Sequence, residues 1–492
     1  MNLKLPTEDE IRAAYQEGEV AVLMLFNQFE SGLISLAEAL KEQAEAIKAL
    51  KAQLSKDSSN SGKPPSSDGY GKKKVIPRTE SLRQSGQKPN GGQKGHQGNT
   101  LEKRDQPDKT TIHSVVEPCE NCGCSLEDEV VTGHEERQVF DIPAIRMEVT
   151  AHRAEIKICT ECGTSNKASF PHQITQATQY GSGVKTWASY FSTQHFIPTV
   201  RTADIFEDLL RHRLSEATVL NACHQLAAHV APANQAIKEQ LEAADVVHFD
   251  ESGLRVMGKL HWLHSASTDK LTYYIAHPKR GQDAIDEMDI LPHLTGAACH
   301  DHWTPYFSYD AVKHALCNAH HLRELAFIGK QYQQAFAPKM ADLLIEINTA
   351  KKEQLIDHFN LERLNVYASR YDKIVEEGLE ANPEKPPDPE KPKRGRTKQT
   401  PAHNLLRRLR DFKSAVLAFM YDFNIPFTNN QAEQDVRMIK VKQKVSGCFR
   451  TLMGAETFVA NRGYLSTARK NDQNIFQAIQ AAFENSPFIP QA

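Results

Sequence analysis

Three carboxylates occupy contexts suited to metal-dependent phosphoryl transfer: Asp250 in Val-Val-His-Phe-Asp-Glu-Ser, Asp301 in Gly-Ala-Ala-Cys-His-Asp-His-Trp, and Glu433 in Asn-Asn-Gln-Ala-Glu-Gln. Acids supply the hard oxygen ligands that Mg²⁺ or Mn²⁺ takes, and acids from distant segments can share two such ions on one phosphodiester. Val-Val-His-Phe-Asp reads as a buried strand. Its period of two puts Asp250 on the face of Val246 and His248, and Glu251 on the opposite face, so Asp250 is the candidate ligand. Asp301 is expected at the end of a second apolar strand. Glu433 has two readings. In one, Asn430 caps a helix and Glu433 reaches back three residues as a capping box. In the other, Glu433, Arg437 and Lys440 share a helix face, while Ala432, Val436 and Ile439 form a separate apolar stripe. From Arg437 to Arg450 there are five basic residues and no acid. Arg437, Lys440, Lys442 and Lys444 in that run suit a nucleic-acid backbone lying across the helix.

Two further spacings are chemical. Cys119-x-x-Cys122 and Cys159-x-x-Cys162 are separated by 36 residues, and each pair is followed by glycine (Gly123, Gly163). Glycine lets the chain turn tightly enough for both thiolates of a knuckle to face one tetrahedral ion, so a structural Zn²⁺ is expected, with free buried cysteines as the alternative. Alternation in Ile145-Arg-Met-Glu-Val-Thr-Ala predicts a hairpin between the knuckles. Cys124 is a spare thiol nearby, and Cys223, Cys299, Cys317 and Cys448 read mainly as small core residues.

A chain of 492 residues must place these groups with several domains. Residues 1–56 carry Leu33, Leu40, Ile47 and Leu54 every seven residues, with Leu36, Gln43 and Leu50 between them. This is the seam of a coiled coil with a second copy, or of a helix packed on its own chain. Residues 57–108 form a flexible linker. Between Lys63 and Arg104 it has ten Lys or Arg against three acids, so Lys72, Lys73, Lys74 and Lys94 are candidate phosphate contacts acting by counterion release. Residues 109–178 would form the zinc-binding domain. Residues 179–244 are helical, with Ser215 capping the second helix of a pair used either as scaffold or for DNA recognition. Strands at 246–250, 261–268 and 271–277, a helix opened at 280–284 and a strand at 296–300 fill the catalytic segment 245–328. Acids at the ends of the first and fourth strands give this order the look of a ribonuclease H-like fold, where those strands are neighbours. Residues 329–401 read as a helical insertion ending in a Pro-rich basic linker. Residues 402–468 return to the core with Glu433, and 469–492 form a C-terminal helix. The fold class is thus multidomain α/β. Hydrophobic residues make up 40% and charged residues 25%, with a net charge of −3. The early apolar run Ala21 to Phe26 is far short of the ~18 residues of a membrane span, and the start of the chain lacks a signal-like region. The expectation is a cytoplasmic protein, associated with the nucleoid when on DNA, with no membrane role.

The phrases V-V-H-F-D-E-S-G, K-R-G-Q-D-A, H-D-H-W-x-x-Y, C-N-A-H and N-N-Q-A-E-Q-D-V-R-M-I-K-V-K-Q-K-x-S-G-C-F-R together resemble the bacterial insertion-sequence transposases called the IS-sixty-six family. The resemblance extends to the linker D-S-S-N-S-G-K-P-P-S-S-D and to G-G-Q-K-G-H-Q-G, in the same order. It implies an Asp-Asp-Glu transposase whose metal-binding acids are Asp250, Asp301 and Glu433. It further implies double-stranded DNA partners (terminal inverted repeats and target DNA), a homodimer or higher oligomer on DNA, and small accessory proteins of the same element. Cys317-Asn-Ala-His320 matches a C-x-x-H signature of interrupted transposase cores, in which His320 would contact DNA or serve as a core histidine. The chain departs from the commoner pattern at His302, where Gly is usual, and at Ser252, where Thr is usual. The alternatives are a DNA-binding descendant that has lost catalysis, and a ribonuclease H-like nuclease without strand transfer.

Overall fold

The computed structural model describes residues 6–54, 101–115, 117–354, 356–386 and 397–491. Lys72, Lys73, Lys74 and Lys94 lie outside them, with most of the linker. By internal contacts the chain divides into two units, one of residues 1–73, 169–204 and 214–492, the other of 74–168 and 205–213.

The chain begins with α1 (Glu8–Glu17), closed by a capping box between Thr7 and Glu10, and α2 (Glu19–Leu54). At 1.5 Å per residue, the 36 residues of α2 extend about 54 Å. Its seam residues Leu33, Leu36, Leu40, Ile47 and Leu50 are exposed. The stretch Glu19–Ala44 is long and apolar enough to cross a membrane by length and composition alone. The run Ala21 to Phe26 is therefore a poor measure of it, because apolar residues continue with Phe29 and from Leu33 onward, past the polar residues Asn27, Gln28, Glu30 and Ser31.

In the smaller unit the two knuckles take the same form. Cys119 N–H donates to Cys124 O and Gly123 N–H to Cys119 O; Cys159 N–H donates to Thr164 O and Gly163 N–H to Cys159 O. Gly123 and Gly163 have φ of 70° and 71°, the left-handed turn that glycine allows without strain. Strands β1 (Ile156–Ile158) and β2 (Ser165–Lys167) pair antiparallel around the second knuckle. The hairpin expected at 145–151 does not form. Val139, Ile142 and Val149 are exposed, so the alternation finds no apolar surface to bury against.

The larger unit holds α3 (Ser182–Ser189), the first half of α4 (Thr199–Leu210, of which residues 205–210 fall in the other unit), α5 (Glu216–His229) and α6 (Ala231–Glu242). Ser215 caps α5 by accepting from Thr218 N–H, as its sequence context predicts. A mixed five-stranded sheet follows, built from β3 (Val246–Val256), β4 (Lys259–Ser267), β5 (Thr272–His277), β6 (Ala297–His300) and β7 (Lys313–Leu316), with α7 (Gln282–Met288) before β6. The spatial order is β5-β4-β3-β6-β7, with β3, β4 and β5 antiparallel and β3, β6 and β7 parallel. The first and fourth strands of the segment are thus neighbours, as the order of elements predicts. Two details differ. β3 runs six residues past Asp250, through a two-residue turn at Met257-Gly258 whose positive φ values match the twist of the strands. β7 is a fifth strand that its short, partly charged sequence does not announce.

Helices α8 (Asn318–Tyr332), α9 (Phe336–Glu353), α10 (Leu361–Ala381) and α11 (Pro401–Asp411), with the short α12 (Lys413–Val416) and α13 (Ala418–Tyr421), form one core with β6 and β7. The expected insertion is therefore continuous with the core under the sheet. Helix α14 (Asn430–Ser446) and helix α15 (Leu452–Lys470) cover the far ends of β3, β4 and β5. Val436 and Ile439 face that core, and Ala432 is buried beside them. Leu226, Val230, Tyr464, Leu465 and Ile479 join α5 and α6 to α15 and α16 (Ile475–Phe483) in one core.

Candidate active site

The parallel ladder of β3 and β6 pairs Val246 with Ala297, Val247 with Ala298 and His248 with Cys299. Asp250 lies two residues beyond the last pair on β3, and Asp301 two residues beyond it on the β6 side, one residue past the end of that strand. Asp250 accepts Glu251 N–H at 2.8 Å, and Asp301 accepts Trp303 N–H at 3.0 Å. Burial, the Glu251 carboxylate and Asp301 push Asp250 well above the usual carboxylate range. Asp301 is pushed up to about 7 by burial and then by Glu251, with Arg280 opposing. Glu433 adds a smaller repulsion at both. Glu433 is thus close enough to act on both aspartates.

Glu433 makes no capping box. The N-cap of α14 is Asn429, and its side chain caps nothing in the helix. That side chain instead ties three segments together: Nδ2 donates to Phe249 O at 2.7 Å, Oδ1 meets His248 Nδ1 at 2.7 Å, and the backbone N–H donates to Cys317 Sγ at 3.1 Å. Asn429 so pins the start of α14 to β3 and to the β7–α8 junction. The Glu433 carboxylate faces α8, with Arg323 Nη2 at 3.4 Å and His320 Nδ1 at 3.9 Å. Cys317, His320 and Glu433 bring ligand atoms within 4.8 Å of one another.

Glu251 is the residue that strand phase set aside. It is buried, 3% exposed, and its charge weighs on both Asp250 and Asp301. Arg280 Nη2 lies 3.1 Å from Glu251 Oε2, and Tyr306 Oη donates to Oε1 at 2.5 Å. The guanidinium lies over the Trp303 ring at 4.3 Å and the Trp262 ring at 5.1 Å. The signal was present in the sequence: an acid on the inward face of a buried strand requires a cation and a donor. Arg280 and Tyr306 belong to the K-R-G-Q-D-A and H-D-H-W-x-x-Y phrases. Trp303 and Tyr306 therefore act first as packing around this pair. His302 takes up space against Phe412 at 4.5 Å, and burial lowers its pKa to about 3.

The basic face of α14 divides. Arg437 and Lys444 are exposed. Lys440 Nζ donates to Gly253 O at 2.7 Å. Lys442 is buried with its ammonium 3.7 Å from the Phe449 ring centroid, and desolvation lowers its pKa to about 8. Lys440 and Lys442 are thus engaged in holding the helix to the sheet, and do not reach outward as surface phosphate contacts would. His320 is held neutral, its pKa lowered to about 3 by burial and by Arg323, so it brings no charge to a phosphate. The knuckle cysteines Cys119, Cys122, Cys159 and Cys162 are partly or fully exposed and do not gather into one group. Hydrogen bonds lower the pKa of Cys119 and Cys162 in the direction of thiolate.

The family model described as Transposase IS66 family matches residues 177–457, and one for a family of unknown function, DUF6444, matches residues 3–102. No curated protein matches the chain. The first match takes in more than half of the chain, the whole five-stranded sheet and all three candidate acids. On that match, the chain belongs to the transposase IS66 family.

Proposed function

We propose that this protein cuts DNA at the ends of its own insertion sequence and joins them to target DNA, using Asp250, Asp301 and Glu433 as metal ligands in a ribonuclease H-like core. The observation that carries this reading is that Asp250 on β3 and Asp301, one residue past the end of the adjacent parallel strand β6, are both raised by burial and by neighbouring carboxylates, with Glu433 among them. Such acids repel one another without a cation and are relieved by one, so the donor set fits Mg²⁺ or Mn²⁺. Two bound ions would activate the attacking oxygen and stabilise the leaving 3′ oxygen. The chain's own residues do the rest. Backbone N–H groups of Glu251 and Trp303 orient one oxygen of each aspartate. Arg280 balances the buried Glu251, and Asn429 keeps α14 against β3. Exposed Arg437 and Lys444 hold the DNA backbone beside the site, and the basic linker with Lys72, Lys73, Lys74 and Lys94 adds contacts that do not read sequence. Cys119, Cys122, Cys159 and Cys162 would hold a structural Zn²⁺ once the two knuckles close on one ion, and α2 would pair with a second copy through its exposed seam.

The test is strand cleavage by the purified full-length protein on its element ends with Mg²⁺. Asp250→Asn is expected to lower the rate at least ~10³-fold, the share that metal charge stabilisation supplies, while end binding in a mobility-shift assay persists. Equal cutting by the variant would remove Asp250 from the metal site. Binding without cutting by the parent would favour a relative that has kept DNA binding and lost catalysis.

A further inference from the structure

The cluster of Cys317, His320 and Glu433 has a donor set unlike that of the aspartates. Mg²⁺ takes hard oxygens, whereas a thiol, an imidazole and a carboxylate together suit Zn²⁺ or Co²⁺. Cys317 N-caps α8 directly after β7, and His320 follows three residues later, so one short segment presents sulfur and nitrogen together. Glu433 comes from the first turn of α14. The three ligand atoms lie within 4.8 Å of one another, with His320 Nδ1 at 3.9 Å from Glu433 Oε1. A tetrahedral zinc site with its usual bond lengths has ligand atoms about 3.3–3.8 Å apart, so a shift of a fraction of an ångström per side chain closes it.

Two atoms are poised for such an ion. His320 Nδ1 is buried and has no hydrogen-bond partner. Cys317 is 1% exposed, and its sulfur receives the Asn429 N–H, a contact that stabilises a thiolate once a metal replaces the thiol proton. Without metal, burial holds the thiol protonated, its pKa pushed up to about 11. A cavity of about 120 Å³, lined in part by Asp301, Cys317, His320 and Glu324 and by the cations Arg280 and Arg408, opens beside Cys317 and His320. Arg323 is the group that must yield, since its guanidinium now lies 3.4 Å from the Glu433 oxygen. One thiolate and one carboxylate neutralise the charge of a divalent ion, so the repulsion left for Arg323 is small.

We propose that Cys317, His320 and Glu433 form a Zn²⁺ site, and that zinc bound there takes Glu433 away from the Mg²⁺ arrangement and inhibits the enzyme. The inhibitory half rests on the reading of Glu433 as a catalytic ligand; the binding half does not. The binding test uses full-length protein stripped of metal and titrated with Co²⁺, followed by the thiolate-to-cobalt charge-transfer band and by the number of ions bound. The knuckles contribute their own band, so the comparison is between the parent and Cys317→Ser. The variant is expected to bind one ion fewer and to lose the part of the band that a Cys122→Ser, Cys162→Ser double variant retains. Identical stoichiometry and band in Cys317→Ser would overturn the site. Should Cys317→Ser fail to fold by circular dichroism, His320→Gln carries the same comparison, with the ion count as its readout. In the activity arm, Zn²⁺ is expected to inhibit Mg²⁺-supported cleavage by the parent, with a midpoint raised on the order of tenfold or more in the variant. An unchanged midpoint would overturn the inhibition. If no cleavage is seen at all, the cobalt result still decides the site.

Discussion

At the scale of the residue, the chemistry depends on how carboxylates are kept in a partly buried site. Glu251 repels both aspartates, and Arg280 and Tyr306 keep it in place. The result is a site that favours protons or cations over empty, ionised acids. The sign of the pH dependence follows. Burial and then Glu251 push Asp301 up to about 7 in the folded protein, against an ordinary value of about 4. Its contribution to stability is complete below pH ~4 and is lost as pH rises through 7. Metal-free Asp301→Asn is therefore expected to melt above the parent at pH 8, on the order of 5 °C, with the gap closing toward pH 4. Calorimetry in chelator at both pH values checks this. A parent as stable as the variant at pH 8 would mean that the acid is not strained there. Added Mg²⁺ should raise the parent's melting temperature and leave that of the variant nearly unchanged.

At the scale of the element, β6 is a four-residue strand that must meet β3 in one register, and Gly296 sets its entry. A Cβ there would lie 2.2 Å from Ala244 O and 2.4 Å from Asp245 O, and backbone cannot move aside cheaply. Gly296→Ala is expected to destabilise by about 1–3 kcal/mol and to weaken Mg²⁺ binding, because β6 carries Asp301. The control is Gly329→Ala in α8, where the nearest atoms are 3.7 Å away or more. That substitution should be neutral or stabilise by about 0.5–1 kcal/mol. Urea unfolding of both variants makes the comparison, and equal effects would remove the special role of Gly296. The strand phase of β3 was legible because apolar and polar residues alternate through Asp250. The extension to Val256 was not, since Gly253 and Leu254 break that alternation while β4 supplies pairing along the whole length.

At the scale of the whole molecule, α2 is the element with the most apolar surface exposed. Leu40 and Leu50 are each 58% exposed and Ile47 is 53% exposed, more than a helix in water leaves on one seam without a partner. A second copy is the expected cover. Light scattering should give at least a dimer for the full chain, and Leu40→Glu should shift the mass toward monomer. A parent that is already monomeric at micromolar concentration would assign the seam to another surface. The helical segment after residue 329 is placed by the opposite logic. Its apolar faces are buried with β6 and β7, so what reads in sequence as an interruption contributes to the core that supports Asp301.

The sequence by itself determined the first four strands of the sheet, the apolar stripe of α14 and the left-handed glycines of the knuckles, and it singled out the three candidate acids. Each follows from a local period or a local backbone requirement. Only tertiary structure decided which way Glu433 turns, because a capping box and an outward carboxylate have the same spacing. It likewise decided that Lys440 and Lys442 reach back to Gly253 and Phe449, and that Glu251 has Arg280 as its partner from 29 residues away. Those outcomes depend on contacts between segments distant in sequence, and helical or strand periodicity carries no information about them.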